Sequence, residues 1–83
     1  MEEKMLEAII KRLKELVDEK NMSLYSLSYK SAVPYSTVKN IFKGDSKNPG
    51  VVTIKLLCDG LGITITEFFN SPIFEELEIE DIE

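Results

Sequence analysis

Apolar positions recur every three to four residues along most of the chain, and helix breakers interrupt that rhythm at short intervals. Leu6, Ile9, Ile10, Leu13, Leu16 and Val17 form the longest stripe, which predicts an amphipathic helix over 3–20. Lys11, Arg12, Lys14, Glu15, Asp18, Glu19 and Lys20 fall on its other side and read as a solvated face. Asn21 tolerates positive φ better than most residues and is expected to terminate the helix. Ser23 then stands as an N-cap, with Met22 and Leu27 at the two positions of a hydrophobic staple. Leu24, Leu27 and Val33 give this second helix a short inner face. Ser26, Ser28 and Ser31 are weak helix formers, so the helix depends on tertiary packing; small Ser28 offers room for a neighbouring helix.

The next stretch, 33–44, has a firm start and a firm stop. Pro34 fits a first helical turn, where its missing N–H costs nothing, and Gly44 fits the left-handed residue past a helix end. Val38, Ile41 and Phe42 face inward. Tyr35, Ser36, Thr37, Lys39, Asn40 and Lys43 face outward: hydroxyls, an amide and two cations, with no acid among them. Such groups suit base edges and phosphates.

A polar loop with strong breakers, 45–50, leads into a helix over 51–61, with Val51, Ile54, Leu57, Cys58 and Leu61 expected inward. Gly62 ends it. Thr64 and Glu67 have the spacing of a capping box, with Ile63 and Phe68 as its staple, and open a short fifth helix carrying Phe68 and Phe69. From Ser71 and Pro72 onward, Ile73, Phe74, Leu77, Ile79 and Ile82 are spread among acids. This tail reads as one or two more helical turns or as a disordered segment, and as either a solvated acidic tail or a dimer contact through Ile73, Phe74 and Leu77. No stretch predicts a strand.

Composition narrows the chemistry. Eighty-three residues make one domain near the small end of what folds unaided. No apolar run is long enough to cross a bilayer, and the opening Met-Glu-Glu-Lys lacks the pattern of a signal peptide. The single cysteine, Cys58, excludes an internal disulfide framework, reads as a small core residue, and predicts a reducing, cytoplasmic location. With one cysteine and no histidine, zinc sites and Cys/His or Ser/His nucleophile systems are excluded. Carboxylate-only chemistry is not excluded by composition, but no paired Asp/Glu motif suggests it, so no enzyme activity, cofactor or metal is expected.

The net charge of −5 looks unsuited to nucleic acid until the chain is divided. Residues 71–83 carry six acids and no base; residues 1–70 carry ten bases and nine acids. Residues 21–50 hold Lys30, Lys39, Lys43 and Lys47 against Asp45 alone, a net +3. Local field governs encounter more than the total does.

Taken in order, three groups of residues resemble the lambda-repressor/Cro-like (XRE) helix-turn-helix family. They are Arg12-Leu13-Lys14-Glu15-Leu16; Met22-Ser23 through Val33 with Tyr35-Ser36-Thr37-Val38, Ile41 and Lys43-Gly44; and Lys47-Asn48-Pro49 with Thr53-Ile54, Leu57-Cys58, Leu61-Gly62-Ile63 and Glu67-Phe68. The resemblance spans about residues 6–70. It implies an all-α, compact five-helix DNA-binding domain over 1–70, its helix-turn-helix at about 23–43, followed by an acidic tail over 71–83.

By position, the resemblance implies that Tyr35, Ser36 and Asn40 touch base edges, with Pro34 and Lys39 beside them. It implies that Ser23, Thr37, Lys43 and Lys47 touch phosphates. An Asn amide is matched to adenine N6 and N7. Many members carry Gln at Leu24 and Ser at Pro34. The family often pairs an Arg with a Glu where this chain has Val17 and Phe42, so these two are expected to share the core instead.

The implied function is sequence-specific binding of double-stranded DNA by a transcriptional regulator, a homodimer on a two-fold operator. The dimer contact is expected around Ile65, Phe69, Ile73 and Phe74. A phage or mobile-element repressor, or an antitoxin with a toxin partner, fits that outline. The alternative is a protein-interaction module on the same fold with weak or no specific DNA binding. The acidic tail and the lack of Arg on the 35–43 helix favour that alternative, because Lys is less suited than Arg to bidentate guanine readout.

Overall fold

A computed structural model describes residues 4–46 and 48–77. Six helices follow one another: α1 Lys4–Glu19, α2 Leu24–Ser31, α3 Tyr35–Lys43, α4 Val51–Leu61, α5 Ile65–Phe69 and α6 Pro72–Glu75. Among the described residues there is no strand. The core joins Leu13, Leu16 and Val17 of α1 to Leu27, Val38, Ile41 and Phe42, and these to Ile54, Leu57, Cys58, Leu61 and Phe68. Val17 and Phe42 both lie in this cluster, each less than a tenth exposed. Both residues of this expected pair are thus apolar and buried, and no charge is buried with them.

Three helix ends close in one way. After α1, Asn21 takes φ 55°, and Met22 N–H reaches Val17 O at 2.8 Å. After α3, Gly44 takes φ 84°, and Asp45 N–H reaches Asn40 O at 2.9 Å. After α4, Gly62 takes φ 76°, and Ile63 N–H reaches Cys58 O at 3.0 Å. Each is a Schellman closure that satisfies carbonyls left over at a helix end. The expected N-caps also form: Ser23 Oγ accepts from Ser26 N–H at 3.0 Å. Thr64 and Glu67 complete a reciprocal capping box.

The end of α2 is different. Ala32 adopts φ 62°, a left-handed conformation that a side chain disfavours. Serines hold the turn in place of a Schellman pair. Ser28 Oγ–H donates to Val33 O at 2.8 Å, and Val33 N–H donates to Ser31 Oγ at 3.2 Å. Ser28 therefore braces the turn. A close approach of α2 to α4 is made by Ser31 against Gly60. A Cβ on Gly60 would lie 2.8 Å from Ser31 Cβ and 2.9 Å from Ser31 N. Among the described elements the α2–α4 packing is the most extensive, and glycine permits it.

Several other positions depart from the sequence pattern. Pro34 is the N-cap of α3, not its first helical residue, with ψ 142°. Val51 is 74% exposed, because it opens α4 a turn before the inward stripe begins at Ile54. Arg12 does not belong to the solvated face of α1. Its Nε–H donates to Phe68 O and its Nη2 to Glu67 O, both at 2.7 Å, so it caps the C-terminal end of α5.

The tail begins as structure. Ser71 caps α6, Pro72 opens it, and α6 rests on α1. Phe74 packs 4.9 Å from Phe69 and 5.9 Å from Phe68, ring centre to ring centre. The acids Glu78, Glu80, Asp81 and Glu83, with Ile79 and Ile82, lie outside the described residues.

Candidate nucleic-acid interface

α3 is a two-faced helix because its apolar residues occupy only one side. Val38, Ile41 and Phe42 are buried and fix the helix to α1 and α2. Tyr35, Ser36, Lys39, Asn40 and Lys43 are exposed on the other side, and Thr37 is half-buried between the two. The spacing of 36, 39, 40 and 43 lines one face for two turns. No acid lies on α3, so nothing on the helix itself repels a phosphate.

Its N-terminal end is open. Pro34 supplies a backbone carbonyl to Thr37 N–H at 2.9 Å and Val38 N–H at 3.0 Å, but no side-chain cap. The amides of Tyr35 and Ser36 precede the first intrahelical bonds and face outward with the positive end of the helix. Pro34 itself is exposed beside them.

The individual side chains are held to different degrees. The Tyr35 ring meets the ring of Tyr25 on α2 edge-on, with centroids 5.2 Å apart and planes at 72°. The Lys39 ammonium rests over the Tyr35 ring, 5.8 Å from its centre. Lys43 approaches Asp45 at 3.7 Å, and both side chains are more than half exposed, so the pair is weak. Asn40 uses its backbone carbonyl to close the helix, while its side chain is exposed. Ser23 is exposed at the start of α2, its hydroxyl oxygen occupied by the Ser26 amide. Lys47 lies outside the described residues.

The fold thus brings Pro34, Tyr35, Ser36, Lys39, Asn40 and Lys43 onto one surface. The remaining expected contacts, Ile65, Phe69, Ile73 and Phe74, cluster on α5 and α6. Ile65, Phe69 and Phe74 there are half-buried against the chain's own core. Tyr25 was not legible as part of the surface. Its only sequence signal is that it stands with Tyr29, one turn on, as an aromatic on the polar side of α2. Other chemistry is thin. The Cys58 thiol is wholly buried, and burial, then the charge of Asp59, pushes its pKa up against the opposing effect of Lys55. That is the character of a core residue. Among the described residues no cluster of Cys, Asp and Glu is arranged to hold a metal, and no helix is long and apolar enough to cross a membrane.

A pair of short helices joined by a three-residue turn, the second presenting polar and cationic groups from an acid-free face, defines a helix-turn-helix domain. The family model of the Cro/C1-type helix-turn-helix DNA-binding domain matches residues 12–72, most of the chain, and the protein belongs to that family. No curated protein and no solved structure matches the chain.

Proposed function

We propose that this protein is a transcriptional repressor that binds a specific double-stranded DNA site as a homodimer on a two-fold operator. The observation that carries the reading is the outer face of α3: Tyr35, Ser36, Lys39, Asn40 and Lys43 exposed together, without an acid, on a helix anchored by Val38, Ile41 and Phe42. In this reading Tyr35, Ser36 and Asn40 touch base edges, flanked by Pro34 and Lys39. Ser23, Thr37, Lys43 and Lys47 touch phosphates. A single helix of this length reads too few base pairs to mark one site in a genome, so two copies are needed. Repression by occupying DNA, as in phage and mobile-element regulators or antitoxins, is the simplest outcome for such a module in a cytoplasmic setting.

Selection of bound duplexes from a random pool tests this. A two-fold motif, with affinity that falls steeply as salt rises, is the expected result. An absence of enrichment favours the protein-interaction module, a reading supported by the lack of Arg on α3 and by Tyr25 and Tyr29, which stand 73% and 88% exposed on α2. The dimer is tested by sedimentation of Ile73→Glu against Val52→Glu. Ile73 belongs to the α5–α6 surface, whereas Val52 is 69% exposed on α4. The proposed contact requires Ile73→Glu alone to give monomers.

A further inference from the structure

We propose that Tyr25 is a specificity-determining residue that acts through Tyr35, as a positioning residue and not as a DNA contact of its own; this rests on the DNA-binding reading of α3. Tyr35 is the first residue of α3, where a side chain has few helical neighbours to restrict it. An exposed tyrosine in that place ordinarily samples more than one χ1 well. A reader that wanders discriminates poorly, because each wrong rotamer is a geometry that fits another base.

Here the ring is bracketed. Tyr25 meets it edge-on at 5.2 Å and 72°, the geometry that aromatic quadrupoles favour. Lys39, one helical turn along α3, places its ammonium 5.8 Å from the same ring centre. Tyr35 is 40% exposed where Tyr25 is 73% exposed, so the inner ring of the pair is the one on the recognition helix. Tyr29, one turn further along α2 and 88% exposed, makes no ring contact among the described residues. The contact is therefore particular to Tyr25 and not a general property of aromatics on that face. It also links the two helices of the motif directly at their outer edge, where the buried contacts do not reach.

The test compares Tyr25→Ala, Tyr25→Phe and Tyr29→Ala in two measurements. In the free protein, NMR should show ring–ring cross-peaks between Tyr25 and Tyr35, and a shift of the Tyr35 ring protons in Tyr25→Ala only. In duplex selection, Tyr25→Ala should weaken the base preference at the position read by Tyr35 about two- to ten-fold. Preference elsewhere should persist. Tyr25→Phe keeps the ring and loses the hydroxyl, so it should leave both the Tyr35 ring resonances and the base preference unchanged. Equal loss in Tyr25→Phe, uniform over all sequences, would mean that the Tyr25 hydroxyl binds a phosphate, and the proposal falls. Equal loss in Tyr29→Ala overturns it too, as does an unchanged preference in Tyr25→Ala. If the unaltered protein enriches no duplex, the DNA-binding reading fails and this inference fails with it; enrichment with Tyr25→Ala unchanged removes this inference alone.

Discussion

The contact between α2 and α4 and the outer face of α3 use the same kinds of small and polar residues for opposite ends. At the first, Ser31 is 3% exposed and lies so close to Gly60 that no side chain fits between them. At the second, Ser36 and Asn40 are exposed to solvent. A serine in the close contact is fixed by its neighbours and serves the fold. A serine on the open face is free to take a partner from outside. The difference lies in what each residue meets, not in residue type, so substitutions in the two places should separate stability from recognition.

The largest effect is expected from Gly60→Ala. The added methyl must displace α2 at Ser31, and the loss should be about 3 kcal/mol, read by urea unfolding. An unchanged midpoint would show that α2 and α4 do not approach so closely. Arg12→Ala comes next. It leaves the carbonyls of Glu67 and Phe68 without their guanidinium, and a loss of about 2 kcal/mol is expected by the same measurement. Arg12→Lys should recover only part of it, since one ammonium cannot reproduce the planar fork.

Asn40→Ala belongs to the open face and reverses the pattern. Stability should move by less than about 0.5 kcal/mol. Discrimination at one base pair of each half-site should fall by about 1–3 kcal/mol, measured by competition between duplexes. If stability drops and preference holds, Asn40 is a structural residue and the distinction between the two regions is wrong there. The smallest effect is a gain. Ala32→Gly removes the Cβ from a left-handed residue between the two regions, and thermal unfolding should show a stabilisation of up to about 1 kcal/mol. It leaves the serine bonds of the turn untouched, so base preference should not change.

Which parts could be read in advance follows from how far each interaction reaches along the chain. The caps at Ser23, Asn21, Gly44, Gly62 and Thr64 involve residues within five positions of one another, so the sequence carries them whole. The inward residues of α3 repeat at the helical period and were equally legible. Arg12 and Phe68 are 56 positions apart, and periodicity alone assigns Arg12 to the outside of α1. The nearness of Gly60 to Ser31 is likewise invisible, because a helical glycine has no signature that distinguishes a close crossing from a tolerated weakness. Tyr25 and Tyr35 are nearer in sequence, but their contact depends on how the 32–34 turn aims α3 across α2.

By itself, then, the sequence determined α1 to α5, the closures after α1, α3 and α4 and the polar outer face of α3, since hydrogen bonds within a turn and the period of apolar residues are local. Only the tertiary structure decided that Arg12 caps α5, that Gly60 admits α2, that the tail begins as a helix on α1, and that the Tyr35 ring meets that of Tyr25. Those contacts join distant segments, and their geometry exists only once the core has drawn the helices together.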